Sequence, residues 1–126
     1  MIRVLVVDDH PIVRSGIVGL LDTEPDFEVV GEAESGEAAI GLAAGLCPDV
    51  VLMDLRMPGM GGVEATRRIV HDLPGGSAAS GPAARVLVFT TYEGDDQILA
   101  AIEAGASGYL VKAAPAEELA AGVRAV

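Results

Sequence analysis

Residues Val50–Pro58 read V-V-L-M-D-L-R-M-P, and this stretch decides the fold. Four apolar residues run into Asp54, and Pro58 breaks the segment. A short continuous apolar run bounded by turn signals is typical of a strand that is covered on both faces, as in parallel sheets. We therefore expect Asp54 to lie where a buried strand reaches the surface, with its carboxylate at the strand tip.

Four similar apolar runs flank this strand, and each is followed by a helical pattern. The other predicted strands are Ile2–Val7, Phe27–Val30, Val86–Phe89 and Gly108–Val111. Five helices are predicted: from Pro11 to before Glu24, from after Ser35 to about Leu46, from about Val63 to His71, from Gly94-Asp95-Asp96 to Ala104, and from Pro115 onward. Ser35 is the expected N-cap of the second helix, and Gly105 is the expected C′ residue of the fourth. This alternation predicts one parallel sheet with right-handed crossovers and helices on both faces.

The same patterns predict which side chains are buried. The inward residues are expected to be Ile12, Val13, Ile17, Leu20 and Leu21 in the first helix and Val63, Thr66, Ile69 and Val70 in the third, with Arg67 and Arg68 in solvent. Cys47 is expected to be a small buried hydrophobe. Residues 73–84 are low in complexity and are interpreted as a flexible surface insertion.

Composition limits the class of protein. The 126 residues fit one domain with a real core, and 51% are hydrophobic. A formal net charge of -11 argues against direct nucleic-acid binding by this chain, because phosphate contacts need Lys and Arg. The single cysteine forms no intrachain disulfide, and no signal peptide or membrane span is expected, so a cytoplasmic location is predicted.

Polar residues follow four of the five predicted strands. They are Asp8 and Asp9 after the first, Asp54 after the third, Thr90 after the fourth and Lys112 after the fifth. Because ligands of such sheets bind at the carboxyl ends of the strands, we expect these five residues to converge at one edge. Each residue alone has an ordinary explanation as a turn, cap or surface residue, but the joint pattern favours one site.

The expected chemistry is phosphoryl transfer assisted by a divalent cation. Three carboxylates repel one another, and Mg²⁺ suits a site with one or two carboxylates, waters and phosphate oxygens. Lys112 adds a compact positive charge suited to phosphate, and the Thr90 hydroxyl can bond a phosphoryl oxygen. Asp54 can then attack phosphorus as carboxylates do in aspartyl-phosphate chemistry.

The chain resembles response-regulator receiver domains over essentially its whole length. The matching motifs are Asp8-Asp9, M-D-x-x-M-P ending at Pro58, Phe89-Thr90 and G-Y-L-V-K at Gly108–Lys112. The runs V-V-D-D-H-P-I-V-R-S-G and E-A-G-A-S-G-Y-L-V-K further resemble the NarL/FixJ type. The resemblance implies a flavodoxin-like (βα)5 three-layer α/β fold with a five-stranded parallel sheet in the order 2-1-3-4-5.

The resemblance also implies a role for each site position. Asp54 is the implied phosphoacceptor and a Mg²⁺ ligand. The further implied metal ligands are Asp9 directly, Asp8 largely through water, and the backbone carbonyl of Arg56. Lys112 is implied to pair with the phosphoryl group, Thr90 and Tyr109 to form the switch, and Met57 and Pro58 to shape the loop. His10 is predicted to be a loop residue rather than a metal ligand.

The predicted function is that of a two-component receiver, a phosphoacceptor rather than an enzyme. The expected partners are a sensor histidine kinase and a second receiver, its own copy or another, with DNA contacted only through a LuxR-like helix-turn-helix domain that would follow Val126. A stand-alone receiver that acts by protein contact remains an alternative. An aspartyl-phosphate phosphatase is less favoured because position 56 is Arg, and a flavodoxin-like nucleotide or flavin domain because Asp8 and Asp9 repel phosphate.

Overall fold

A computed structural model describes residues 1–73, 84–91, 96–112 and 115–126. The chain forms five parallel strands in the order β2-β1-β3-β4-β5, as expected. The elements are β1 (Ile2–Val7), α1 (Pro11–Asp22), β2 (Phe27–Ala33), α2 (Gly36–Leu46), β3 (Val50–Asp54), α3 (Gly61–His71), β4 (Arg85–Thr90), α4 (Gln97–Glu103), β5 (Gly108–Val111) and α5 (Ala116–Ala125).

The central strand β3 is buried over its whole length, as its continuous apolar sequence predicts. It pairs with β1 from Val4↔Val50 to Val7↔Met53 and with β4 from Val50↔Arg85 to Asp54↔Phe89. Because successive side chains of a strand point to opposite faces of the sheet, they pack into two separate hydrophobic cores. Leu5, Val51 and Met53 pack with α2, α3 and α4, whereas Val4, Val6 and Leu52 pack with α1 and α5.

Local signals in the sequence placed several helix ends correctly. Helix α1 begins at Pro11, and the Ser35 hydroxyl caps α2 by accepting a hydrogen bond from the Ala38 N–H at 3.1 Å. Gly105 follows the C-cap of α4 with a φ of +116°, which the missing Cβ permits. These features depend on residues within one helical turn of each end.

Strand β2 is longer than predicted, because it continues through Gly31 to Ala33. The register with β1 shifts between Val4↔Val29 and Leu5↔Gly31, which leaves an extra residue in β2. Glycine inside a strand often marks such a bulge, and Gly31 lies at this irregularity within β2 and does not end the strand.

Burial was predicted wrongly in two places. In α1 the side chain of Ile12 is 88% exposed, and Val13 and Leu20 are also exposed, while Leu21 is buried. Apolar residues therefore extend beyond the stripe that this helix buries. Cys47 is exposed because it is the C-cap of α2 in the left-handed conformation, with φ 51° and ψ 56°. The inner face of α3 is confirmed at Thr66, Ile69 and Val70.

The predicted insertion at residues 73–84 lies outside the described residues except at its two ends, Leu73 and Ala84, which both contact the core. The residues Gly94 and Asp95 that were predicted to open α4 also lie outside them. In the described part of the chain, no helix has the length and apolar character needed to cross a membrane.

Candidate functional site

The end of β3 presents a buried carboxylate. Asp54 pairs with Phe89 of β4, and its side chain is about 2% exposed. Its Oδ1 accepts a hydrogen bond from the Arg56 N–H at 3.2 Å, which turns the chain away from the sheet. The helix that follows packs against this turn, because the Gly62 N–H donates to the Leu55 carbonyl at 3.2 Å.

The end of β1 presents two more carboxylates. The Asp8 N–H still bonds the Ala33 carbonyl of β2 at 3.0 Å, so Asp8 is fixed by the sheet and its side chain is fully buried. Its Oδ1 accepts a hydrogen bond from the His10 N–H at 2.8 Å. Asp9 is more open, with 23% of its side chain exposed.

Lys112 connects these two strand ends from the far side of β4. Its N–H donates to the Thr90 carbonyl at 2.7 Å, which continues the β4–β5 pairing by one residue. Its Nζ lies 3.2 Å from Asp54 Oδ2 and 3.3 Å from Asp8 Oδ2. It also lies 5.1 Å from the centre of the Phe89 ring. The ammonium group therefore bridges two carboxylates that would otherwise repel each other.

Three buried oxygens of the site, Asp8 Oδ2, Asp9 Oδ1 and Asp54 Oδ2, have no partner with hydrogen-bond geometry among the described residues, although Lys112 Nζ or His10 Nδ1 lies 3.0 to 3.3 Å from each. A carboxylate oxygen can accept more than one hydrogen bond, so these oxygens retain the capacity to bind a further cation. One ligand atom from each of Asp8, Asp9, His10 and Asp54 lies within 4.8 Å of the others. Oxygens around octahedral Mg²⁺ lie at most about 4.2 Å apart, so the carboxylates fit such a cation after a small contraction or with intervening water.

The environment of Asp54 favours its neutral form. The pKa of Asp54 is raised from 3.8 to about 6, chiefly because burial disfavours the charged form; Lys112 opposes this rise and the Asp8 carboxylate adds to it. A cation beside these carboxylates would act in the same direction as Lys112. Ionisation of Asp54 in the folded chain therefore costs free energy, and a bound cation would reduce that cost.

The other predicted site residues lie around this centre. Thr90 is buried at the end of β4, one residue beyond the partner of Asp54, while Tyr109 of β5 is 49% exposed. Met57 packs against the core and Pro58 is exposed. The Arg56 guanidinium reaches Asp96, before α4, at 3.2 Å. All five strand-end residues therefore share the carboxyl edge of the sheet.

Sequence reasoning missed one contact at this edge. His10 Nδ1 lies 3.3 Å from Asp8 Oδ1 and 3.0 Å from Asp9 Oδ1. The sequence held a signal for it, because an Asp side chain commonly accepts a hydrogen bond from the backbone two residues on, which draws the third residue close.

Fold and site together define a doubly wound α/β domain with an acidic, lysine-bridged centre at the carboxyl edge of its sheet. Residues 4–124 match the response regulator receiver domain, and the chain belongs to that family. It is thus a receiver domain of the kind found in two-component response regulators.

Known proteins of this family are similar over nearly the whole chain. The transcriptional regulatory protein LiaR of Bacillus subtilis is 46% identical over 125 residues, which are 99% of this chain and 56% of LiaR. A LuxR-family two-component response regulator from Aurantimonas sp. SI85-9A1 is 44% identical, with a TM-score of 0.85 over 98% of this chain and 82% of that one. The receiver domain of the putative regulator NarL from Mycobacterium tuberculosis is 35% identical, with a TM-score of 0.81 over 98% and 91%. The chain spans about half the length of the curated relatives it matches.

Proposed function

We propose that this chain accepts a phosphoryl group on Asp54 from the phosphohistidine of a sensor histidine kinase, with Mg²⁺ bound by the neighbouring carboxylates. The observation that carries the proposal is the Asp54 carboxylate, buried at a strand tip with Lys112 Nζ 3.2 Å from its Oδ2 and two more carboxylates beside it. An aspartate with a purely structural role at the surface needs neither this burial nor a lysine and two further carboxylates beside it.

The transfer balances as a displacement at phosphorus. An oxygen of Asp54 forms a new O–P bond while the N–P bond of the phosphohistidine breaks, and the imidazole leaves with the electron pair and takes up a proton. Lys112 neutralises charge on the transferred phosphoryl oxygens, and the Thr90 hydroxyl donates to one of them. Mg²⁺ bound by Asp8, Asp9, Asp54 and the Arg56 carbonyl would supply further positive charge there.

The domain is proposed to act as a stoichiometric acceptor that switches, not as a turnover enzyme. Phosphorylation adds charge and acceptor oxygens at the strand edge. Thr90 and Tyr109 are proposed to respond and to bias α4, which is short and has Ala101 as its fully buried residue. Leu99 and Ile102 are exposed on that helix, so its surface could bind a partner differently in the two states.

The output is proposed to be transcriptional. LiaR is a transcriptional regulatory protein, and the Aurantimonas protein is a LuxR-family regulator. DNA would be contacted through a further domain, because this chain carries a net charge of -11. The phosphatase alternative gains no support, since Arg56 stands where a second acid is wanted and pairs with Asp96.

The test replaces aspartates at the two ends of β3. Asp54→Asn removes the proposed nucleophile at the carboxyl end, and Asp49→Asn changes the acid that precedes the strand and accepts a hydrogen bond from the Arg3 N–H at 2.9 Å. Each variant is incubated with acetyl phosphate and Mg²⁺, and phosphoryl incorporation is measured by intact mass. We expect Asp54→Asn to abolish incorporation and Asp49→Asn to retain it. Undiminished incorporation in Asp54→Asn would reject Asp54 as the acceptor.

A further inference from the structure

We propose that Arg14 is a positioning residue for the metal centre, held in place by Glu32. Arg14 lies in the first turn of α1, and its Nη1 donates a hydrogen bond to the backbone carbonyl of Asp8 at 2.7 Å. Its Nε donates to Glu32 Oε1 of β2 at 3.1 Å. The Arg14 side chain is 18% exposed, so the guanidinium is largely enclosed between α1 and the sheet. This inference rests on the proposed function.

The carbonyl that Arg14 holds belongs to the peptide between the two acidic residues of the β1–α1 loop. That peptide is planar, so fixing its oxygen fixes where the chain leaves Asp8 and enters Asp9. The preceding N–H, that of Asp8, is held by the Ala33 carbonyl at 3.0 Å. Asp8 is therefore clamped from both sides, by β2 at its N–H and by Arg14 at its C=O.

The hydrogen bond from Arg14 matters because the strands of the sheet supply no partner for the Asp8 carbonyl among the described residues. The pairing of β1 with both neighbouring strands ends at Val7, except for the Asp8 N–H, so no described strand residue holds the Asp8 carbonyl. A hydrogen bond from a charged donor is stronger than one between neutral groups and suits this role. Residues that orient metal ligands in this way typically change metal affinity when they are replaced.

Glu32 both neutralises and orients the Arg14 guanidinium. An unpaired guanidinium beside the acidic centre would compete with a cation for the field of the carboxylates. The Glu32 carboxylate neutralises Arg14 and also aims it, because the guanidinium is planar and donates in fixed directions. Arg14 can then orient the ligands without opposing the metal.

The chain offers a matched control at the opposite edge of the sheet. Arg3 Nη1 donates to the carbonyls of Leu46 and Cys47 at 2.7 and 2.9 Å, and its Nε lies 3.8 Å from Glu28 Oε1 of β2. It thus has the same kind of partners as Arg14 but lies far from Asp8 and Asp54 along the strands. Arg3→Met removes comparable hydrogen bonds without touching the loop of Asp8 and Asp9.

The experiment measures Mg²⁺ binding by isothermal titration calorimetry for the wild-type chain and for Arg14→Met, Glu32→Gln and Arg3→Met. The Mg²⁺ concentration that half-saturates phosphorylation by acetyl phosphate is measured in parallel. We expect Arg14→Met to raise the Mg²⁺ Kd about tenfold and the half-saturating concentration with it, while the maximal rate stays nearly unchanged. Glu32→Gln should raise the Kd about threefold, and Arg3→Met should lower thermal stability without changing the Kd.

A Kd for Arg14→Met within about twofold of wild type would overturn the inference, as would an equal rise in Arg3→Met. Should Arg14→Met fail to fold, Glu32→Gln decides, because an unchanged Kd in that exposed variant contradicts the clamp. Failure of the proposed function looks different: Asp54→Asn still takes up phosphate. A wild-type chain that binds no Mg²⁺ overturns both.

Discussion

The two edges of the sheet treat charge in opposite ways. At the amino edge, charges are paired: Arg124 contacts Asp26 and Glu24 at 2.8 to 2.9 Å, and Arg3 bonds backbone carbonyls. The Arg124 guanidinium holds the pKa of Asp26 below its usual range by donating hydrogen bonds to its carboxylate. At the carboxyl edge, three carboxylates crowd together, the Lys112 ammonium bridges two of them, and the pKa of Asp54 is still raised to about 6.

The difference between the two edges shows that, in the described part of the chain, the electrostatic cost of burying like charges is confined to the carboxyl edge of the sheet. Pairing and capping stabilise the amino edge, where nothing is proposed to bind. The carboxyl edge keeps like charges buried and only partly compensated by Lys112, which is expected where a ligand completes the arrangement. The predictions below test that contrast, from the largest expected effect to the smallest.

Lys112 is expected to matter more than its counterpart at the amino edge. Lys112→Met should reduce the free energy of unfolding of the metal-free chain by about 4 kcal/mol at neutral pH, because it leaves buried carboxylates without their cation. Arg124→Met should cause a smaller loss, since that pair is solvent-exposed. Urea denaturation with and without Mg²⁺ measures both. Mg²⁺ should restore more stability to Lys112→Met than to Arg124→Met, and equal responses would contradict the contrast.

Gly62 is expected to be required where α3 meets the turn after Asp54. A Cβ there would lie 2.7 Å from Leu55 Cα and still closer to the Asp54 carbonyl, so Gly62→Ala must displace backbone. We expect a loss of about 3 kcal/mol in the free energy of unfolding. Gly45→Ala, in α2, has nothing within 4 Å and should be neutral or stabilising by about 0.5 to 1 kcal/mol. Similar losses in both variants would sink the claim of close packing at this turn.

The stability of the metal-free chain should depend on pH through Asp54. Its folded-state pKa of about 6 is above the unfolded value of 3.8, so this contribution is fully present below pH 4 and is lost as pH rises through 6. The loss is at most about 3 kcal/mol, from two pKa units at about 1.4 kcal/mol each. Chemical denaturation from pH 4 to pH 7.5 should show Asp54→Asn lacking this decline and Asp49→Asn retaining it. Parallel profiles in all three proteins would show that Asp54 does not titrate in this window.

The sequence predicted the fold well because its signals are local. Strand β3, the Pro11 helix start, the Ser35 cap and the Gly105 C′ position each depend on residues within a few positions of one another. Burial was predicted less well. The Cys47 side chain is exposed because the backbone at a helix end sets its direction, and apolar content alone does not report that direction.

The sequence by itself determined which chemical groups this protein places after its strands: two carboxylates, then one, then a hydroxyl and an ammonium. The order of these groups along the chain follows from the apolar periodicity of the strands and from the turn residues that end them, because short-range sterics and backbone hydrogen bonds determine both. The tertiary structure decided the rest. Only the packed sheet brings Lys112 between Asp54 and Asp8, raises the pKa of Asp54 and sets Arg14 against the Asp8 carbonyl. Those properties depend on distances between atoms from separate strands and on the exclusion of water, and neither exists until the sheet has formed.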